Sequence, residues 1–332
     1  MKILMTGNEA VARGAYEAGV LVASAYPGTP STEIMENFSQ YDYVYAEWAP
    51  NEKVAAEVAM GAAVRGVRSF AAMKHVGLNV AADPFMSFAY HGSNGGFVIV
   101  TADEPGMYSS QNEQDNRLYA THAKVVCIEP SDSQECLDFM KEAFEISEKF
   151  DTTVLFRLTT RICHSKTAVV LGERIVPPTV DFKKNAEKYI MVPAHSKKRH
   201  PEIEKNLLKL QAYSNASSLN RIEYNNKKIG IICNGISYQY AKEVMGDNAS
   251  YLKIGMSNPL PDQMIKDFAE NVDILYVIEE NEPFMETQIK SWGINCVGKD
   301  LFPICGEFSP ELLREKLLGV APSGSYGIES TP

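Results

Sequence analysis

The side chains best placed to do chemistry stand in four stretches. The first is EWAPNEKVAAEVAMGAAVRG, residues 47–66. Pro50 and Asn51 break a short strand there, and Asn51 is a good N-cap for the helix that follows. Glu52 falls in the first helical turn, where the helix dipole favours a carboxylate. On the helical period Glu52 shares a face with Ala56, Ala59 and Ala63. Such a smooth face lets another helix or a flat ligand approach closely. Glu52 is therefore either a helix-start acid in solvent or a partly buried carboxylate aimed at a ring nitrogen.

The second stretch is YPGTPST, residues 26–32. Gly28 lets the backbone turn. Thr29 is suited to cap the next helix, with Pro30 at its first position, or to present its hydroxyl to a substrate. The third is KHVGLNVAADPF, residues 74–85, where Gly77 again permits close approach. His75 titrates near neutral pH and is a candidate, although most histidines in such places are satisfied structural groups. The fourth is TADEPGMYSSQNEQDNR, residues 101–117, a long polar loop after the apolar run GGFVIV. Long irregular loops in compact domains tend to be functional, and Asp103 stands near the start of this one.

The elements that must carry these residues are legible from alternation. In residues 1–165 the expected strands are Val20–Ala25, Tyr43–Glu47, Ser69–Met73, Gly96–Thr101, Val125–Ile128 and Val154–Leu158. Helical patterns lie between them near Glu9–Ala18, Ser31–Gln40, Asn51–Arg65, Asn79–Ala89 and Asp132–Lys149. Such alternation predicts an α/β fold with a doubly wound, mostly parallel sheet, covered on both faces. Ligands of such sheets bind at the carboxyl ends of the strands, where all four stretches fall.

Residues 166–226 read as a linker, with a Pro-Pro break at 177–178, the basic run HSKKRH at 195–200 and one helix, about Glu202–Tyr213. The basic run reads as a solvated or subunit-facing surface. Residues 227–318 read as a second, smaller α/β domain with strands Ile229–Cys233, Tyr251–Ile254, Ile274–Ile278 and Asn295–Val297. No GxGxxG follows IGIICNG, so a dinucleotide site is not supported. EENEP at 279–283 is an acidic turn, either a surface loop or a docking contact. Residues 319–332 read as a loop-like tail.

The bulk composition bounds the function. With 332 residues, 45% hydrophobic and 22% charged, the chain suits a soluble protein of two domains. A formal net charge of -10 argues against nucleic acid as a main partner. No apolar run reaches membrane-spanning length. The start, MKILMTGNEAV, lacks the apolar core of a signal peptide, which points to the cytoplasm. The six cysteines form no CxxC pair and read as reduced, inert thiols. The six histidines form no HxH or HxxxH pair, so no metal site is expected.

Taken together, YPGTPST, EWAPNEKVAAE, AAMKHVGLNVAADP and SSQNEQDNR, in this order and spacing, resemble the N-terminal half of the indolepyruvate ferredoxin oxidoreductase α subunit. That family belongs to the thiamine-diphosphate enzymes of the 2-oxoacid:ferredoxin oxidoreductase superfamily. GIICNGISYQYAKEV, LKIGMSNPLP, VIEENEPFMETQI and GKDLFPICGE resemble its next domain, so the likeness covers essentially the whole chain.

The resemblance implies a pyrimidine-binding (Pyr) domain over 1–165 and a transketolase C-terminal-like domain over 227–318. It makes Glu52 the acid that hydrogen-bonds the aminopyrimidine of thiamine diphosphate. Pro27, Gly28, Thr29 and Gly77 then line the cofactor, and Thr29, His75 and Asp103 face the substrate. Asp103 is a departure, because the pyruvate-using branch carries an arginine there to pair with the substrate carboxylate. This agrees with an aryl-pyruvate substrate and leaves Lys74 or His75 as the nearest cations for the carboxylate.

The implied reaction is oxidative decarboxylation of a 2-oxoacid with CoA and ferredoxin, in a complex with a β subunit that forms a homo-oligomer of the αβ unit. The family's Mg-diphosphate domain and its 4Fe-4S clusters find no counterpart in these 332 residues. The chain thus reads as cut short or as a split subunit, expected to be inactive alone. GDN at 246–248 mimics a magnesium motif but follows a helix where the motif follows a strand. Alternatives are a related subunit acting on branched-chain 2-oxoacids or pyruvate, and a non-catalytic assembly module that keeps the fold.

Overall fold

The computed structural model describes residues 2–320. Its strands begin with β1 (Lys2–Thr6), β2 (Val22–Ala25), β3 (Tyr45–Trp48), β4 (Ser69–Lys74) and β5 (Phe97–Asp103). They continue with β6 (Val126–Ile128), β7 (Val154–Thr159), β8 (Lys166–Val170) and β9 (Arg221–Glu223). The last four are β10 (Ile229–Asn234), β11 (Ser250–Ile254), β12 (Met256–Asn258) and β13 (Ile274–Ile278).

The main sheet runs β12-β6-β7-β5-β4-β2-β3. All its pairings are parallel except β12 with β6. Alternation along β4 and β5 explains why it is wound on both faces. Phe70, Ala72, Val98 and Val100 enter one core, with residues of the helices Gly7–Glu17 and Ser133–Phe150. Ala71, Met73, Phe97 and Ile99 enter the other, with residues of the helices Glu52–Val64 and Ala82–His91. Strands buried on both faces read as continuous apolar runs, and β5 is buried throughout. Ala56, Ala59 and Ala63 lie in this second core beside Leu78 and Phe85. Their smooth face therefore admits neighbouring helices, and a ligand has no access to it.

The second sheet runs β13-β10-β11-β9, parallel except at β9. It is tied to the first by β12, which adds an antiparallel strand to the main sheet's edge. EENEP is a docking contact: Glu279, Glu280 and Asn281 are only 1%, 6% and 4% exposed.

The sequence reading missed some short elements. β1 and β8 pair with each other in a separate antiparallel ribbon. The 166–226 stretch is more structured than a linker with one short helix, since it carries β8, β9 and a helix from Pro193 to Ala216. Proline suits a first helical turn, so that helix starts ahead of HSKKRH and carries the basic run on its surface. Asn295–Val297 makes one bridge, Val297 to Tyr276, in place of a full strand. GDN forms a short 3-10 turn after the helix Gly235–Met245. Among the described residues no helix is long and apolar enough to cross a membrane. Most of the expected 319–332 tail lies outside the described residues.

Candidate active site

Because β2, β3, β4, β5 and β7 are parallel, their carboxyl ends share one edge of the main sheet. Asn51 caps the helix after β3 as expected, accepting from the Val54 N–H at 3.0 Å. This fixes Glu52 as the first helical residue, half-buried at the edge. A Cβ built on Gly77 would lie 2.6 Å from Glu52 Oε1 and 2.7 Å from its Cγ. The Glu52 side chain thus rests directly on the backbone after β4, in room only a glycine leaves. No described residue donates a hydrogen bond to its carboxylate.

A second close approach joins the loop after β2 to the end of β4, since a Cβ on Gly28 would lie 3.0 Å from Lys74 Cβ. Pro27 and Thr29 are exposed beside it. Thr29 does not cap the next helix. That helix starts at Thr32, whose hydroxyl accepts the Gly28 N–H at 3.0 Å, and the Thr29 hydroxyl is left facing outward. Tyr26 and Trp48 give the edge exposed aromatic surface.

Beside Thr29 opens a cleft of about 700 Å³, lined also by Glu104, Tyr108, Ser109, Arg161 and Glu307. Glu104 accepts from the N–H and hydroxyl of Ser109 at 2.9 and 3.0 Å and from the Ser110 hydroxyl. Burial works against its charge, but the serine donors outweigh it and hold the carboxyl below its usual range. Lys74 Nζ stands 3.7 Å from Glu104 and donates to the Ser109 carbonyl at 3.1 Å. Sequence reasoning did not single out Glu104, Arg161 or Glu307. For the first two the signal is positional: Glu104 directly follows β5, and Arg161 stands two residues after β7.

Two of the expected substrate residues are placed elsewhere. His75 is fully buried. Its ring Nε2 lies 3.1 Å from the Asn112 carbonyl, and its own carbonyl accepts from Gln114 and Asn116 at 2.8 and 3.2 Å. It clamps the 101–117 loop and has no surface to offer a substrate. Asp103 is also fully buried. It accepts from Arg157 Nε at 2.6 Å and from the Asn116 N–H at 3.0 Å. An acid so enclosed cannot shape a substrate pocket by repulsion, and the substrate role expected for Asp103 is corrected accordingly.

Asp103 belongs to a buried ionic cluster at the junction of the two sheets. Arg157 also pairs with Glu129 at 2.5 Å and donates to Asn281 at 2.9 Å. Arg117 pairs with Asp115, with Glu279 at 2.6 Å and with the Glu280 carbonyl at 3.0 Å. Two guanidinium groups thus face four carboxyls. Burial pushes Asp103 and Glu279 above the usual carboxyl range despite their arginine partners. Asp115 and Glu129 are also desolvated, yet Arg117 and Arg157 hold them below it.

The comparison with known proteins fits this geometry. The model of the family described as "Pyruvate flavodoxin/ferredoxin oxidoreductase, thiamine diP-bdg" matches residues 13–228, most of the chain and all of the edge just described except Glu307. The chain belongs to this family. It is 42% identical to the "Indolepyruvate oxidoreductase subunit IorA" of Archaeoglobus fulgidus, over 98% of this chain and 55% of that protein. It is also 42% identical to the Pyrococcus horikoshii protein of the same name, over 96% of this chain and 53% of that one. The chain therefore spans about half the length of these relatives. In fold it is similar to the 2-oxoglutarate:ferredoxin oxidoreductase of Magnetococcus marinus, with a TM-score of 0.80 at 17% identity, covering 96% of this chain and 65% of that one. A split-gene transketolase gives a TM-score of 0.61 at 15% identity, covering 94% and 93%.

The edge suits the aminopyrimidine half of the family's cofactor. Its carboxylate, without a donor among the described residues, is what a ring nitrogen needs, and buried Gly77 gives the Glu52 side chain its seat. Among the described residues there is no grouping of acids, histidines and cysteines able to hold a metal ion.

Proposed function

We propose that this chain supplies the pyrimidine-binding part of the α subunit of a thiamine-diphosphate-dependent indolepyruvate (aryl-pyruvate) ferredoxin oxidoreductase. The observation that carries the reading is Glu52: a half-buried carboxylate with no donor among the described residues, resting on Gly77 at the carboxyl edge of a parallel sheet. Residues 1–165 are the Pyr domain, 166–226 connect it, and 227–318 are the transketolase C-terminal-like domain. The overall reaction is 2-oxoacid, CoA and two oxidised ferredoxins giving acyl-CoA, CO2, two reduced ferredoxins and a proton.

Bound thiamine diphosphate would supply the nucleophilic carbon and the electron sink for decarboxylation. The protein's own part is to hold and orient. Glu52 keeps a proton at the pyrimidine nitrogen. Pro27 and Gly28 give the ring flat backbone to lie against, and Gly77 lines the cofactor site by seating the Glu52 carboxylate. Thr29 presents a hydroxyl beside the reacting centre, and Tyr26 and Trp48 exclude water. The magnesium that binds the diphosphate and the 4Fe-4S clusters are assigned to the part of the relatives' length outside the match, and the β subunit completes the cytoplasmic assembly, a homo-oligomer of αβ units.

Steady-state turnover of the complete oxidoreductase with ferredoxin or a dye acceptor tests the reading. The expected kcat/KM for indolepyruvate and phenylpyruvate is at least about tenfold above those for pyruvate, 2-oxoglutarate and branched-chain 2-oxoacids, roughly 1.4 kcal/mol of discrimination. Preference for a non-aromatic acid would overturn the substrate. Turnover of no 2-oxoacid at all would favour an assembly module.

A further inference from the structure

With His75 buried, the cations at the same edge are the groups of this chain suited to hold the substrate's carboxylate. Four candidates stand there. Arg117 and Arg157 are fully enclosed in the ionic cluster. Lys74 is only 12% exposed and is committed to Glu104 and the Ser109 carbonyl. Arg161 differs: its side chain is 51% exposed, it lines the cleft that also contains Thr29, and it stands on the short helix directly after β7.

Arg161 is already holding a carboxylate. Its Nε and Nη2 face the two oxygens of Glu307 at 3.1 and 2.5 Å, a two-pronged pairing, and no described residue accepts from its Nη1. Glu307 reaches it from the loop before the helix Pro310–Leu318 of the second unit, with Tyr108 Oη 3.5 Å from the same carboxylate. A 2-oxoacid ends in the same planar pair of oxygens, and a guanidinium matches that pair better than an ammonium does. We infer that Arg161 anchors the carboxylate of the 2-oxoacid substrate and that Glu307 occupies the anchor until the substrate arrives.

Arg161 is half exposed, but the Glu307 side chain is only 9% exposed, so a substrate carboxylate that takes Arg161 must also move Glu307 from its seat, with the Tyr108 hydroxyl 3.5 Å away to receive it. The exchange suits decarboxylation. A carboxylate gripped by a permanent cation is stabilised in the ground state and lost as CO2 in the reaction, which raises the barrier. Glu307 is placed to take Arg161 back as that charge disappears. The exposed Tyr108 ring beside the pair offers a face for an aromatic side chain.

This inference rests on the oxidoreductase reading above, and the test separates the two. In the complete oxidoreductase, KM for indolepyruvate would be measured together with competitive inhibition by indole-3-propionate and by its neutral amide. Arg161→Met should raise KM and the inhibition constant of the acid by about tenfold or more while leaving that of the amide within about twofold. Arg161→Lys should fall between, and Glu307→Gln should lower KM by removing the competitor. A structural role alone would move acid and amide together, and that result, or an unchanged acid constant, overturns the anchor. If the unmodified enzyme turns over no 2-oxoacid, the oxidoreductase reading itself has failed.

Discussion

At one edge of the main sheet, Asp103 at the end of β5 pairs with Arg157 of β7, while Glu52, after β3, has no partner among the described residues. Arg117 is enclosed by Asp115 and by Glu279 of the second unit, and Arg157 by Asp103 and Glu129 with the Asn281 amide of the second unit, with no solvent reaching Arg117 at all. Glu52, after β3, is half-buried, rests on a glycine and accepts from no described residue. Both arrangements spend the same residue types. The closed one has used its donors and acceptors and can only hold the second unit in place. The open one has acceptors that no described residue uses, as the proposed ligand role requires. Burial and pairing, more than residue type, separate a strut from a site here, and Asp103 and Glu52 fall on opposite sides of that line.

The largest expected effect is on the closed side. Arg157→Met leaves Asp103 and Glu129 buried without a cation, and removing one partner of a buried pair costs about 3–5 kcal/mol. Thermal or denaturant unfolding of the purified chain measures it. A loss below about 1 kcal/mol would mean that the cluster is not structural.

Next comes pH. Burial pushes the Glu280 carboxyl, which accepts the Phe308 N–H at 2.8 Å, up to about 7. The folded state therefore holds this proton more tightly than the unfolded chain does. Glu280's contribution is fully present below the unfolded carboxyl range and is lost as pH rises through about 7. Wild-type stability should fall by roughly 1–3 kcal/mol from pH 5 to pH 8 on this account. In Glu280→Gln, which keeps the acceptor and removes the titration, that slope should flatten. An identical slope in both proteins would contradict the assignment.

The smallest effect on stability, and an informative one, is expected at Gly77. Its φ lies outside the left-handed region, so alanine suits the helix it begins, but the new methyl would meet Glu52 Oε1 at 2.6 Å. Gly77→Ala should change stability by less than about 1 kcal/mol. By displacing the Glu52 carboxylate it should lower turnover of the complete enzyme by about tenfold or more. Unaltered turnover would show that Glu52 does not need this seat.

Sequence alone carried the open side well. Asn51 capping Glu52 is local chemistry, and parallel strands put every post-strand loop on one edge, so Thr29, Glu52 and Gly77 were all expected at the edge where they stand. The closed side failed because its partners are distant in the chain. Arg157 lies in VLFRLT, a lone cation in an apolar strand, which in retrospect demanded a carboxylate from a neighbouring strand; β5, which ends in Asp103, pairs with it. Nothing local marked Glu279 as the other end of the Arg117 pair, 162 positions away. The same distance hid β12 and the pairing of β1 with β8, since antiparallel partners far apart leave no period to read. The alanine face after Glu52 was read with two outcomes because smoothness alone does not say whether a helix or a ligand lies against it.

The central claim is that Glu52 serves a ligand and not the fold. The most direct measurement is turnover of the complete oxidoreductase carrying Glu52→Gln, paired with thermal unfolding of the same protein. The amide keeps the shape and removes the acid. The account predicts that turnover falls by at least about a hundredfold, roughly 2.7 kcal/mol of barrier, while stability changes by less than about 0.5 kcal/mol. Turnover within about tenfold of wild type, or a loss of activity explained by unfolding, would contradict it.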